Sequence, residues 1–238
     1  MYKFKQFHTT YSTVIVKKDT VSDPDSFGCC MDVSIIRTLA GSYDFIFKNR
    51  TEAMINGQPV ENSADLMMLK LGDAIFPLNL RKSARDPKLR IENAPAIIKR
   101  WDLCSQGYLS GKNAERIRKY IQMSRNNLTS PANLLKSVLS NSVIQIITLT
   151  EPEKFGFKAY NLRHAGDIYN FTTDGITIKH TKDETLCFIE NEEINASYSF
   201  LCGALIYFEG VFTLKVGNEY YKQQVSIKSD DGNQRLIK

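Results

Sequence analysis

Strand-like patterns at both ends of the chain, with helical patterns between them, constrain the fold more than any other feature of the sequence. β-Branched and aromatic residues are concentrated in Tyr11–Lys17, Cys30–Leu39 and Tyr43–Lys48, and the last two segments alternate apolar with polar residues. Near the C-terminus, Asp174-Gly175 and Gly217-Asn218 each separate two strand-like segments and suit the tight turns of β-hairpins. Since hairpins join antiparallel neighbours, the sequence predicts antiparallel sheet in both terminal thirds.

The middle of the chain carries helix-start signals, each followed by apolar residues at helical spacing. Asn62-Ser63 can cap a short helix, and Asn93 with Pro95 opens a second. Ser110 and Ser130-Pro131 open two more, each amphipathic. The alternation of strands and helices that builds parallel sheets is absent. The predicted fold class is therefore α+β, with antiparallel β-rich N- and C-terminal segments around a central helical insert of three to four helices.

Two more apolar segments are predicted as strands. They are Ala74–Leu80 and Val143–Leu149, the second of which is rich in Ile and Val and has the composition of a buried strand. The charged, proline-containing segment Glu151–Lys154 follows and is the best candidate for a boundary. It predicts two parts, residues 1–150 with a strand meander and the helical insert, and residues 151–238 with an antiparallel β lobe. A linker this short predicts that the two parts pack closely into one unit.

The formal net charge of +5 is unevenly distributed. Between Arg81 and Arg125 there are twelve basic and four acidic residues, whereas five acidic residues and no basic ones lie between positions 183 and 193. A concentrated basic segment can bind an acidic protein surface or, as a second reading, nucleic-acid phosphates; charged outer faces of helices are the structural alternative. The candidate binding residues are Arg81, Lys82, Arg85, Lys88, Arg90, Arg116 and Lys119.

Catalytic and cofactor motifs are not recognisable in the sequence. The five cysteines form no C-x-x-C pair, which predicts free thiols and no metal site, and no phosphate-binding glycine motif is present. We expect no cofactor. The nearest approach to a catalytic cluster is His164 with Asp167, which could act as a base and its carboxylate partner. A polar hairpin loop is the alternative explanation of this segment.

Aromatic residues are concentrated in the C-terminal third. Phe212, Leu214 and Val216 alternate along one segment and could line a cavity for an apolar ligand, or fill an ordinary core. No apolar stretch approaches the roughly 20 residues of a membrane-spanning helix. With no secretory signal at the N-terminus, the sequence predicts a soluble cytoplasmic protein of bacterial type.

These observations favour binding over catalysis. We expect a non-catalytic protein-interaction module, such as an accessory component of a bacterial assembly or a toxin-neutralising protein, that uses the basic helical surface and the acidic edge. Two alternatives stay open. One is a carrier of an apolar ligand in the aromatic C-terminal β region, and the other is an enzyme with an unfamiliar site near His164 and Asp167.

Overall fold

Antiparallel strand pairing dominates the computed structural model, which describes residues 4–17, 20–21, 25–86, 88–109, 114–126, 128, 130–139, 141–150, 156–158, 168–170, 176–182, 184–216 and 219–230. Within these ranges the chain forms fourteen strands and five helices. The predicted α+β class with antiparallel sheet is therefore confirmed.

The strands are β1 (Phe4–Lys17), β2 (Thr20–Val21), β3 (Asp25–Arg37), β4 (Tyr43–Ile55), β5 (Gln58–Pro59), β6 (Leu78–Lys82), β7 (Leu89–Ile91), β8 (Gly156–Lys158), β9 (Ile168–Asn170), β10 (Thr177–His180), β11 (Glu184–Glu190), β12 (Ile194–Leu201), β13 (Ala204–Val216) and β14 (Glu219–Ser229). The helices are α1 (Ser63–Asp73), α2 (Ala94–Gln106), α3 (Ala114–Asn126), α4 (Pro131–Leu139) and α5 (Ser142–Ile147).

The chain divides into two units, each assembled from separate segments. Unit 1 comprises the described residues within 1–5, 31–50 and 60–139, and unit 2 comprises those within 6–30, 51–59 and 140–238. Strands β3 and β4 have residues in both units. The predicted boundary at residue 150 stays a prediction.

Unit 1 packs α1 to α4 with strands in the order β3-β4-β6-β7. Phe45 and Phe47 of β4 lie directly opposite Leu80 and Leu78 of β6, and all four side chains are buried. Cross-strand partners lie on the same face of a sheet, so these pairs form a continuous apolar layer.

Local side-chain caps start two of the helices in unit 1 where the sequence predicts them. The Asn62 side chain accepts a hydrogen bond of 2.8 Å from the Ala64 N–H at the start of α1. The Ser130 hydroxyl accepts one of 3.1 Å from the Asn133 N–H at the start of α4. Each cap satisfies a backbone donor that has no partner within its helix. Residues 110–113, directly before α3, lie outside the described part of the chain.

Unit 2 contains the longest run of paired strands, in the order β10-β11-β12-β13-β14-β1-β3. Cys187, Tyr198, Phe208 and Ile227 are successive partners across β11 to β14, and each is almost completely buried. A second row two residues along contains Ile189, Ala196, Gly210 and Val225. The side-chain period of two therefore places one apolar face of the sheet in the core.

The C-terminal hairpins agree only in part with the turn signals. Val216 of β13 pairs with Glu219 of β14, as a turn at 217–218 requires. Around the other signal, β9 pairs with β8 and β10 pairs with β11, in place of a β9–β10 hairpin. Residues 174–175 and 217–218 themselves lie outside the described part.

The predicted strand Val143–Leu149 is wrong, because this segment contains α5. The Asn141 side chain caps the helix by accepting hydrogen bonds from the N–H groups of Val143 and Ile144. Val143, Ile144, Ile146 and Ile147 are all buried, which leaves no alternation to distinguish helix from strand. A short apolar run has the same composition in both structures.

The predicted strand Ala74–Leu80 overlaps β6 in its last three residues only. Ala74 lies at the end of α1, where its N–H bonds to the Gly72 carbonyl oxygen, and β6 begins only at Leu78. The longest helices in the described ranges have 13 residues, and none is long and apolar enough to span a bilayer.

The packing of Gly210 generates a stability prediction. A Cβ atom at this position would lie 2.9 Å from the Phe208 ring and 3.2 Å from the Ala196 Cβ. Gly210→Ala should therefore lower the free energy of unfolding by about 1–3 kcal/mol, measured by chemical denaturation. Gly72→Ala is the matched control, because its Cβ would meet only the flexible end of Arg50 at 3.4 Å inside a helix. If Gly210→Ala is as stable as this control, the close packing of that row is contradicted.

Candidate functional site

Three residues of the predicted basic surface are buried or paired within the fold, although Arg81 and Arg90 still leave 50% and 68% of their side chains exposed. Lys82 is buried, with 8% of its surface exposed. Arg81 donates two hydrogen bonds to the Asp44 carboxylate, at 2.7 and 3.1 Å, and these raise the pKa of Arg81. Arg90 bonds to Asp86 at 2.7 Å and lowers the pKa of that carboxyl. The fold itself therefore supplies polar or charged partners for part of the basic segment.

Two further arginines connect elements of unit 1. Arg100 of α2 donates to three backbone carbonyl oxygens between Ala74 and Pro77, at 2.8 to 3.2 Å, and burial lowers its pKa. Arg125 of α3 forms a bidentate ion pair with Asp102 of α2, at 2.6 and 3.1 Å. Arg100 thus supplies a hydrogen-bond donor to backbone carbonyl groups at and after the end of α1. The Arg125–Asp102 ion pair joins α3 to α2.

The other basic side chains of the segment that the structure describes face solvent. The exposed ones, for which the described residues provide no ion pair, are Arg85, Lys88, Lys99, Arg118 and Lys119. Arg116 lies in α3, but its side chain is outside the described part, as is Lys112. Of the seven candidate binding residues, Arg85, Lys88 and Lys119 are thus available at the surface.

Large apolar side chains are exposed on the same two helices. Helix α2 buries Ile97 and Trp101 and leaves Leu103 with 61% of its surface exposed. Helix α3 buries Ile121 and leaves Met123 with 62% exposed. We call Lys99, Leu103, Arg118, Lys119 and Met123 the α2–α3 surface.

The acidic edge lies at the hairpin between β11 and β12. Glu190, Glu192 and Glu193 are exposed, and the Asn191 side chain shapes the turn by accepting hydrogen bonds from the N–H groups of Glu193 and Ile194. Asp183 lies outside the described residues. The turn therefore presents carboxylates to solvent.

Only some of the residues on which the two alternative functions depend lie in the described part of the chain. His164 and Asp167 are outside the described part of the chain. Phe212 and Leu214 are buried, and the Phe212 ring stacks on Phe208 with a centroid separation of 6.2 Å. This packing is that of a core layer. The side chain of Val216 is outside the described part.

A cluster that the sequence did not predict lies in unit 2. The Cys30 Sγ atom is 3.1 Å from His8 Nδ1 and 3.1 Å from Glu52 Oε2, to which the thiol donates. His8 Nε2 lies 3.3 Å from Asp230 Oδ1. We call these four residues the Cys30 cluster. They combine a nucleophile, two groups that can accept a proton, and a carboxylate that can orient the imidazole.

The environment of Cys30 keeps its thiol protonated. Burial, the hydrogen bond to Glu52 and the charge of Glu52 raise the pKa of Cys30 from 9.0 to about 12. Only 5% of the residue is exposed, whereas His8 and Asp230 expose about half of their side chains. The cluster thus extends from a buried thiol to a solvent-exposed carboxylate.

No local signal could have identified this cluster, because its members are far apart in the chain. His8 and Cys30 come from β1 and β3, and Glu52 comes from β4. Glu52 has a positive φ of 52°, a conformation that sequence patterns assign to Gly or Asn and seldom to Glu. Strand order had to be known before these residues could be associated.

No group of three or more His, Cys, Asp or Glu residues in the described ranges is arranged to hold a metal ion. All five cysteines lie in the described part of the chain, and each carries a free thiol. Compared with models of known protein families and with curated proteins, the chain matches no family and no similar sequence. Arguments about function therefore start from the α2–α3 surface and the Cys30 cluster.

The high pKa of Cys30 predicts its reactivity towards alkylation. At pH 8 the thiolate fraction should be about 1000-fold below that of a thiol with a pKa of 9, rising about tenfold for each pH unit up to pH 12. Glu52→Gln removes a negative charge and should raise the rate at pH 8 by at least about tenfold. Iodoacetamide labelling with peptide mapping measures both rates, with the exposed Cys202 as internal reference. Equal rates in wild type and variant would contradict the role of Glu52.

Proposed function

We propose that the protein is an interaction module that binds an acidic partner protein through the α2–α3 surface. The observation that carries this proposal is that Leu103 and Met123 are exposed on the same two helices as the exposed Lys99, Arg118 and Lys119. Binding at such a surface requires no catalytic residue and no cofactor. An accessory component of an assembly and a toxin-neutralising protein would both use a surface of this kind.

Charge supports the acidic character of the partner. The fold satisfies Arg81, Arg90 and Arg125 with carboxylates, but Arg118 and Lys119 have no such partner among the described residues. Adjacent unpaired cations attract an acidic surface, accelerate its association and weaken binding as salt increases.

The exposed apolar side chains support a protein partner over nucleic acid. Met and Arg are enriched in protein–protein interfaces, and burial of a large apolar side chain stabilises a complex by about 1.5–3 kcal/mol. Leu103 and Met123 offer this burial on two helices that the Asp102–Arg125 ion pair joins. Phosphate recognition would gain little from either side chain.

The helix packing of α3 supports a rigid surface. Ile121 is buried on its inner side, and Arg125 is anchored to Asp102 at 2.6 Å. Lys119 lies one helical turn before Met123, so these two exposed residues share the side of α3 that faces away from Ile121, and the exposed Arg118 is next to Lys119 in the chain. A preformed surface loses less conformational entropy on binding than a flexible one.

Charge reversal on α3 tests the proposal. Arg118→Glu with Lys119→Glu should lower retention of the partner at low salt by at least about tenfold in a pull-down followed by affinity measurement, because both cations become repulsive. The double variant Lys70→Glu with Lys136→Glu is the matched control, since it makes the same charge change at exposed lysines of α1 and α4.

The apolar part of the surface is tested separately. Leu103→Ser and Met123→Ser should weaken binding at low and high salt alike, because burial of apolar area is not screened. Retention that depends on nucleic acid, and is abolished by nuclease treatment, would contradict a protein partner. If the α3 double variant and its control lose the same amount of partner binding, the placement of the binding surface on α2 and α3 is contradicted.

A further inference from the structure

We propose that the acidic partner of the α2–α3 surface is a second copy of this chain, which presents its acidic edge and the adjacent Phe188. This inference rests on the proposed function and names the partner of the same surface. The α2–α3 surface belongs to unit 1, and the acidic edge belongs to unit 2. The contact therefore joins unit 1 of one copy to unit 2 of another.

The acidic edge carries carboxylates that the fold leaves without a counterion. Glu190, Glu192 and Glu193 are exposed and form no ion pair with any described residue. The carboxylates of Asp86 and Asp102, in contrast, are each bound by an arginine. Three carboxylates on one turn are opposite in sign and equal in number to the cations of the α2–α3 surface. The two surfaces therefore attract each other.

Charges around the two surfaces preserve this difference in sign. Helix α3 contains four basic residues and one acidic residue, Glu115. Beside the acidic edge, the Lys179 ammonium group lies 5.4 Å from the centroid of the Phe188 ring. The described charges there are thus three carboxylates and one cation, so the edge keeps a net negative charge.

Each surface combines its charges with exposed apolar side chains. Phe188 of β11 leaves 39% of its surface exposed, and Glu190 lies two residues later on the same face of the strand. Leu103 and Met123 are the exposed apolar residues of the α2–α3 surface. Aromatic residues and Met are enriched in protein–protein interfaces. An aromatic ring bordered by carboxylates therefore fits apolar side chains bordered by cations.

Hydrogen bonds hold the acidic edge in one conformation. The Asn191 N–H donates to the Ile194 carbonyl oxygen at 2.8 Å, and the Thr213 N–H of β13 donates to the Glu193 carbonyl oxygen at 2.8 Å. Ile194 is buried, which anchors the base of the turn in the core. Like the α2–α3 surface, the edge is preformed, and this lowers the entropic cost of association.

A contact between two different surfaces of the same chain determines the type of assembly. When two copies bind, one basic surface and one acidic edge are still free on the pair. Such a heterologous contact propagates into chains of copies unless a ring closes, and the smallest ring is a reciprocal dimer. The assembly therefore grows with protein concentration.

Sedimentation equilibrium of the purified wild-type chain tests this inference. At low salt the weight-average mass should rise above that of the monomer as the concentration increases from about 1 μM to about 1 mM, the range of weak complexes. At about 1 M salt, where the screening length falls to about 3 Å, the association constant should be at least about tenfold lower.

Charge reversal should act equally on the two surfaces. The α3 variant, Arg118→Glu with Lys119→Glu, and the edge variant, Glu192→Lys with Glu193→Lys, should each lower the association constant at low salt by at least about tenfold. Each variant places like charges on both sides of the contact. Phe188→Ser should weaken association at low and high salt alike, because burial of apolar area is not screened.

A matched control and a mixture make the result specific. Glu61→Lys with Glu92→Lys makes the same charge change as the edge variant, at exposed glutamates of unit 1, and should associate like wild type. The α3 variant keeps an intact acidic edge, and the edge variant keeps an intact basic surface. Their equimolar mixture should therefore recover the rise in mass that neither shows alone, a recovery that unfolded variants would not produce.

Several results would overturn the inference. They are a wild type that stays monomeric at every concentration at low salt, equal losses in the edge variant and its control, and a mixture of the two variants without recovery. Pairing of the two surfaces within one chain would give the first result. If a monomeric wild type still captures another acidic protein through the α2–α3 surface, only the identity of the partner is wrong. If the α3 variant loses neither self-association nor capture, the proposed function itself is contradicted.

Discussion

The arrangement of unit 2 depends on the register between β1 and β14. Phe7 lies opposite Ser229 and His8 lies opposite Lys228; the first pair is buried, whereas His8 is exposed. Because side chains alternate between the faces of a strand, a slip of one residue would bring His8 into the core and Phe7 out of it. The apolar core therefore fixes the position of His8 beside Cys30, although the two features lie on opposite faces of the sheet.

Features that depend on neighbours in the chain could be predicted from the sequence. The caps at Asn62 and Ser130 act on N–H groups two or three residues away, so the local sequence contains both partners. The alternation of apolar and polar residues in β4 likewise indicates which side of the strand is buried, because Phe45 and Phe47 both face the core. Antiparallel sheet follows from such patterns and from hairpin turns, without knowledge of which strands become neighbours.

Features that depend on distant residues could not be predicted. The excess of basic residues does not reveal that Arg100 binds backbone carbonyl groups or that Arg125 binds Asp102. For α5, burial on all sides removed the periodicity that distinguishes helix from strand. The Cys30 cluster required the order of four strands and a left-handed Glu52, neither of which composition or spacing records. Local sequence patterns therefore predicted helices and strands better than they predicted clusters of functional residues.

The pairing of the first long strand with the last has a consequence for biosynthesis. Strand β1 leaves the ribosome before the other described strands, and β3 can cover one of its edges early, but its other edge is completed only by β14. Until then that edge exposes unpaired N–H and C=O groups that can recruit a strand from another nascent chain. Such long-range closure slows folding. Yield at high expression should therefore depend on chaperone capacity, and C-terminal truncations before β14 would leave that edge open.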